Sequence, residues 1–198
     1  MTYDPEIHNR KSMRLDGYDY SQNGYYHVTI CSQNRECYFG NVEDFGMILN
    51  DAGKMIFQIW KDMPKYNLGI FMDEFIIMPN HIHGIIRFDV GNDHRVVPHM
   101  NSNENNNQGQ AQWPIPTSKS KSLSDIIKQF KTLTTNKYIE GVHDYSWKPF
   151  HKKIWQKGFY DQILWNENDL NFIRNYIKNN PPEWENDEYN PKNIKTNK

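Results

Sequence analysis

The stretch that most constrains this chain runs from Phe75 to Phe88, FIIMPNHIHGIIRF, where two histidines one residue apart interrupt an apolar, β-branched run. Such a run predicts a buried strand, with Pro79-Asn80 as a break just before the histidines. The shortness of that break pairs Leu68–Met78 with Ile82–Phe88 as a hairpin-like antiparallel unit. On a strand, residues two apart share a face, so His81 and His83 project together while Ile82 points into the core. Two neutral imidazoles side by side on rigid backbone make half of a metal site. The remaining question is what completes it.

Upstream, residues 1 to about 22 are polar and aromatic and read as an ordered arm; Tyr25 to Cys31 is a first strand, rich in aromatic and β-branched residues. From about Gly46 to Met63, apolar residues at 47, 48, 52, 55, 56, 59 and 60 predict one helix that stops at Pro64. After the hairpin the composition changes: residues 90–122 form an Asn-rich, low-complexity loop that cannot bury enough apolar surface to order itself. Ser122 or Ser124 can cap a helix carrying Leu123, Ile126, Ile127, Phe130 and Leu133. A fourth strand falls near Tyr160 to Trp165, and a last helix between Asn166 and Pro181. The order β, α, β, β, α, β, α predicts an α+β domain, an antiparallel sheet with helices packed on one face. The chain reads as one domain, 1–182, with the 90–122 insertion, followed by an acidic, Asn-rich tail at 183–198 expected to be disordered.

No apolar run approaches the ~18 residues that span a bilayer. The N-terminus lacks a basic segment followed by an apolar one, and Cys31 and Cys37 stand without a second pair. A reducing cytoplasm without membrane attachment is the expectation. Net charge is -1, yet Lys119 to Lys157 holds nine lysines against three acidic residues. That segment, with interleaved aromatics, suits phosphates and stacked bases, and Arg14, Lys128, Lys131, Lys152, Lys153 and Trp155 are candidate nucleic-acid contacts. A solvated lysine face over aromatic core residues explains the same pattern as well.

In the last helix Asn166 is a good N-cap, and Leu170, Ile173 and Ile177 make the core stripe. Phe172, Tyr176 and Asn180 are spaced by four and share a neighbouring face. Pro181 ends the helix and disfavours the αR conformation at Asn180. A divalent ion held by His81, His83 and the Asn180 carboxamide keeps positions open for a phosphodiester. The Tyr176 phenol, with a reference pKa of about 10, becomes a nucleophile once a cation stabilises its phenolate. Attack on phosphorus would leave a phosphotyrosine that conserves bond energy for rejoining. Packing alone also accounts for a helical Tyr four residues before an Asn.

The run Met78-Pro-Asn-His-Ile-His-Gly-Ile-Ile86 resembles the HUH motif (His, hydrophobic, His) of single-tyrosine transposases. Ile154 to Leu164, followed by Asn175 to Trp184, resembles the C-terminal signature of REP-associated tyrosine transposases; Gly17 to Tyr20 and Tyr25 to Gly40 fit the same pattern. The resemblance implies a ferredoxin-like domain with the HUH motif on a central strand. It implies cleavage and rejoining of single-stranded, hairpin-forming DNA through a 5′-phosphotyrosine, with Mg²⁺ or Mn²⁺, in a nucleoid-associated, monomeric or dimeric, domesticated protein. By motif position Tyr176 is the nucleophile, His81 and His83 are metal ligands and Asn180 is the third polar ligand. The 90–122 insertion and Trp165, where the pattern often has Arg, depart from the family. Tyr160 is a rival nucleophile. The competing functions are a structured-nucleic-acid-binding regulator that keeps the fold without cleaving, and a nucleotide hydrolase. A histidine triad would need His where Ile85 stands, which disfavours the hydrolase.

Overall fold

The computed structural model describes residues 15–89 and 121–193. Along them run β1 (Gly24–Cys31), β2 (Gly40–Glu43), β3 (Gly46–Leu49), α1 (Asp51–Asp62), β4 (Ile70–Ile77), β5 (His81–Phe88), α2 (Leu123–Tyr145), β6 (Tyr160–Leu164) and α3 (Glu167–Lys178). Four strands form one sheet in the order β4-β5-β1-β6, every neighbouring pair antiparallel, while β2 and β3 make a separate hairpin. The His-bearing strand β5 therefore lies inside the sheet. No helix among the described residues is long and apolar enough to cross a membrane.

Strand alternation sorts the side chains between two faces. On one face, Tyr26, Val28 and Ile30 of β1 and Ile82, Ile86 and Phe88 of β5 are buried with Ile56 and Trp60 of α1 and Ile126 and Phe130 of α2. The approach there is close: a Cβ on Gly84 would stand 2.3 Å from Cζ2 of Trp60, so only glycine lets the indole lie on β5. On the other face, Leu170, Ile173 and Ile177 of α3 cover Ile85 and Leu164. Burying each of those α3 side chains contributes roughly 1.5–3 kcal/mol.

The expected α+β antiparallel sheet is present, but the helices divide between its faces instead of sharing one. Apolar residues at 85 and 164 point away from α1 and α2 and need their own cover, which α3 supplies. Helix starts follow the side chains. Asn50 accepts from the Gly53 N–H at 2.9 Å, Ser122 forms a reciprocal capping box with Asp125, and Asn166 accepts from the Asp169 N–H at 3.0 Å.

Two further expectations are corrected. Residues 46–49 are strand β3 and only 51–62 are helix, because Asn50 caps the helix after the apolar run has begun and Asp44-Phe45 turns β3 back on β2. The segment after residue 182 is ordered through Asn193: Pro181–Asn186 and Pro191–Asn193 form 3₁₀ turns, and Asn190 is buried with its amide donating to the Trp184 carbonyl. Asparagine side chains bonding local backbone do here what apolar burial does elsewhere. Asn180 is αR despite preceding proline, since it opens the first of those turns. The loop at 90–122, apart from its last two residues, and the arm before residue 15 lie outside the described residues.

Candidate active site

β5 presents His81 and His83 on the face that α3 covers, opposite Cys31 and Thr29 of β1. Both are deeply buried, at 0% and 2% exposure, and their rings stand 4.7 Å apart, edge to face. Hydrogen bonding assigns the tautomer of His81. The Asn80 amide donates to the carbonyls of Arg35 (2.9 Å) and Tyr189 (2.8 Å), so its oxygen is the group facing His81 Nδ1 at 2.9 Å. That oxygen can only accept; Nδ1 carries the proton and Nε2 keeps a lone pair aimed into the site. His83 Nδ1 lies 2.9 Å from Thr29 Oγ1, and its Nε2 faces the Tyr176 hydroxyl at 3.3 Å. In the tautomer whose Nδ1 donates to Thr29, Nε2 carries the lone pair and accepts from the phenol; the other tautomer reverses both bonds. Burial pushes His81 down to about 3, and burial with the neighbouring His81 and His27 holds His83 well below its ordinary value, so both rings are neutral near pH 7.

Helix α3 is aimed by more than its apolar stripe. A register shift in β4 between Met72 and Phe75 turns Asp73 and Glu74 toward the helix. Arg174 grips Asp73 with both arms, Nε to Oδ1 at 2.8 Å and Nη2 to Oδ2 at 2.6 Å, and Lys178 reaches Glu74 at 3.1 Å. Tyr176 sits between these two anchors in sequence, 42% exposed, with its ring 5.1 Å from that of His83. Burial and the charge of Asp187 push its phenol above the ordinary value, while a side-chain hydrogen bond with Asn180 pulls the other way. The phenol is therefore protonated at neutral pH, and only an added positive charge would release it.

His81, His83, Tyr176 and Asn180, separated by up to 99 residues in sequence, are joined by a chain of contacts: the two imidazoles edge to face, His83 to the Tyr176 hydroxyl, and Tyr176 to the Asn180 side chain. His81 Nε2 and Asn180 Oδ1 are both buried without a hydrogen-bond partner. Orphaned buried acceptors are what a small cation would satisfy, and imidazole with carboxamide is a donor set that divalent ions accept. Among the described residues no group of three His, Cys, Asp or Glu side chains forms a ready-made metal cage. The fit rests on two imidazoles plus an amide, and leaves positions for other oxygens.

Four participants went unnoticed in the sequence. His27, on the same face of β1 as Thr29, stacks 5.4 Å from His83 and is pushed by burial down to about 4; its alternation within Tyr25–Cys31 was the available signal. Asp187 places Oδ2 3.6 Å from His81 Nε2, and the rings of Tyr189 and Trp184 lie 4.7 and 6.1 Å from the His81 ring. A ligand reaching His81 Nε2 has to displace this cover. These three lay in or beside the segment whose composition suggested disorder.

The rival phenol Tyr160 sits on β6 opposite Thr29, with its nearest aromatic neighbour at the site being Tyr189 at 6.4 Å. Of the candidate DNA contacts, Arg14 lies outside the described residues. Trp155 is a core residue whose Nε1 donates to Thr134 at 2.9 Å, so it offers no face to a base. Lys131 donates to the carbonyls of Gln156 (2.9 Å) and Gly158 (2.7 Å). Lys128 and Lys153 are exposed along one groove; Lys152 is exposed outside it.

No family model matches the chain. A Haemophilus influenzae protein described as uncharacterized is 33% identical over 190 residues, covering 94% of this chain and 96% of that protein. Among solved structures, a REP-associated tyrosine transposase bound to a REP hairpin superposes with a TM-score of 0.51 at 16% identity, over 85% of this chain and 72% of the other. At that identity the likeness is one of fold.

Proposed function

We propose that this chain, which belongs to one family with the Haemophilus influenzae protein and has the fold of a REP-associated tyrosine transposase, cuts and rejoins single-stranded DNA beside hairpins with Tyr176 as nucleophile. The observation that carries this reading is the contact of the Tyr176 hydroxyl with His83 Nε2, beside two orphaned acceptors, His81 Nε2 and Asn180 Oδ1.

In this reading His81, His83 and Asn180 would hold a divalent cation such as Mg²⁺ or Mn²⁺, which when bound supplies positive charge to a DNA phosphate and to the phenolate. Asn80 and Thr29 orient the imidazoles from behind, holding each Nδ1 proton and keeping each Nε2 free to donate its lone pair. Arg174 and Lys178 hold the helix that carries Tyr176. The Tyr176 oxygen attacks phosphorus and the bond from phosphorus to the 3′ oxygen breaks. The phenol proton leaves to water on the exposed side of the ring, since His83 Nε2 is engaged. The released 3′ oxygen takes a proton from solvent, and the 5′ phosphate remains on tyrosine. Attack by a free 3′-hydroxyl reverses the steps and rejoins the strand.

The complete burial of His81 beneath Asp187 and Tyr189 favours a second reading, a regulator that binds structured nucleic acid without cutting it. One experiment separates the two. Hairpin DNA with single-stranded flanks, labelled at either end, is incubated with the protein and Mn²⁺ and resolved under denaturing conditions. The cleaving enzyme gives a covalent adduct that disappears without the metal and in Tyr176→Phe. His81→Ala weakens metal binding, so the adduct yield falls and excess Mn²⁺ restores part of it. Hairpin binding with no adduct from the wild-type chain supports the regulator.

A further inference from the structure

A long groove on the described surface lies apart from the two site histidines. It lies between α2 and residues 153–161, encloses about 930 Å³, and is lined by Lys128, Lys131, Lys153, Lys157 and Phe159 among others. We infer that this groove is a track for the phosphates of single-stranded DNA, leading the strand to the Tyr176 site; the inference rests on the proposed function and specifies which surface serves it.

Charge comes first. Several surface lysines outside the groove are tied to acidic partners, Lys54 to Asp51, Lys137 to Glu140 and Lys148 to Glu36. Lys128, Lys153 and Lys157 are exposed in the groove, and none of them is paired with a carboxylate among the described residues. Lys131 plays a different part. Its ammonium is largely buried, burial pushes it down to about 8, and its protons go to the carbonyls of Gln156 and Gly158. It fixes the far wall, so that Lys153 and Lys157 stand across from Lys128. Trp155, bonded to Thr134 on α2, pins the same wall from below. Three unpaired cations along a preformed groove are the electrostatic footprint of a nucleic-acid backbone.

Continuity comes second. Tyr160 and Asp161, at one end of the groove, also line a smaller cavity of about 320 Å³ with His27, Thr29, Arg35 and Tyr189. Thr29 is the residue bonded to His83, and Tyr189 is the ring over His81. The groove thus opens toward the catalytic pocket. The small cavity is far too confined for a duplex, which points to one strand. Asp161 and Glu188 bring negative charge to this junction, and the Arg35 guanidinium, 5.5 Å from the Tyr189 ring centre, offsets it. Tyr160, exposed beside the path, offers a ring on which a base can stack.

The test uses the full chain carrying Tyr176→Phe, without divalent metal, so that chemistry plays no part and failure here is separable from failure of the cleavage reading. Anisotropy of a fluorescein-labelled oligo-dT of about 20 nucleotides, long enough to fill an ordinary single-strand site, is followed across a salt series. Replacing Lys128, Lys153 and Lys157 together by alanine is expected to weaken binding ~10-fold or more and to make the log–log salt slope shallower by about two, as loss of three phosphate contacts requires. Lys54→Ala, on α1 and outside the groove, leaves both quantities unchanged. Thermal melting checks that the triple variant is folded, and the single Lys157→Glu serves if it is not. The inference is overturned if the parent does not bind oligo-dT, if the triple variant keeps the parent's affinity and slope, if Lys54→Ala weakens binding as much as the triple variant, or if blunt duplex competes as well as single strand.

Discussion

The two faces of the sheet are built from the same strands and do opposite work. Along β5, Ile82, Ile86 and Phe88 meet α1 and α2 in a continuous apolar core, with Gly84 making room for Trp60. On the alternate positions of β5, His83 meets Tyr176 of α3, His81 lies under Tyr189 and Asp187, and only Ile85 joins a hydrophobic cluster. One face keeps the fold together; the other spends part of its cover on polar groups whose partners are missing. Placing chemistry at alternate positions of a buried strand holds it rigidly without opening the main core.

If that division is correct, stability losses should be largest on the α1/α2 face. Trp60→Ala should lower the unfolding free energy by about 3–5 kcal/mol, because it empties the best-filled part of the core. His83→Ala should lower it by about 1–3 kcal/mol, the scale for stranding buried hydrogen-bond partners. Denaturant unfolding of the two variants checks the ordering, and a larger loss for His83→Ala would break the comparison. Ile177→Ala, on the buried face of α3, should cost about 2–3 kcal/mol, less than Trp60→Ala and toward the low end of buried aliphatic truncations because its cluster is small.

Next in size is the clamp on α3. Its Arg174 partner holds the Asp73 carboxyl below the usual carboxylate range. A carboxyl depressed in the folded state stabilises above its unfolded pKa, and that contribution is lost as pH falls through the depressed value. Asp73→Asn should therefore lose roughly 0.5–1 kcal/mol at neutral pH, discounted for partial exposure, and converge with the parent in acid. Unfolding curves across that pH range read this directly, and a constant difference at all pH values would remove the pair from the account. The smallest effect on stability is expected for Tyr189→Ala, whose ring covers His81. Its signature is access: diethylpyrocarbonate should modify His81 several-fold faster, by peptide mapping, and an unchanged rate would mean that other groups provide the cover.

Much of this was legible in the sequence because it rests on local rules. The Pro79-Asn80 break, the period-two pattern around His81 and His83, the caps at Ser122 and Asn166, and the Phe172–Tyr176–Asn180 spacing all follow from backbone periodicity and side-chain hydrogen bonding. What escaped depends on contacts distant in sequence. Whether α3 covers the same face as α1 is decided by which strand residues remain bare, and Leu164 and Ile85 become neighbours only in the folded sheet. Residues 183–193 look disordered by composition, yet the Asn80 amide reaches across 109 residues to the Tyr189 carbonyl and ties them down. Trp155 and Lys131 illustrate the converse error: a base-stacking aromatic and a phosphate-binding lysine by composition, they are pinned to Thr134 and to two carbonyls.

The central claim is that the phenol on α3, and not another, makes the bond to DNA. After reaction with flanked hairpin DNA and Mn²⁺, the protein is digested with protease and the peptide retaining a nucleotide is sequenced by mass spectrometry. The account predicts the α3 peptide with the modification on Tyr176. A nucleotide on Tyr160, or on any residue remote from His83, would contradict it.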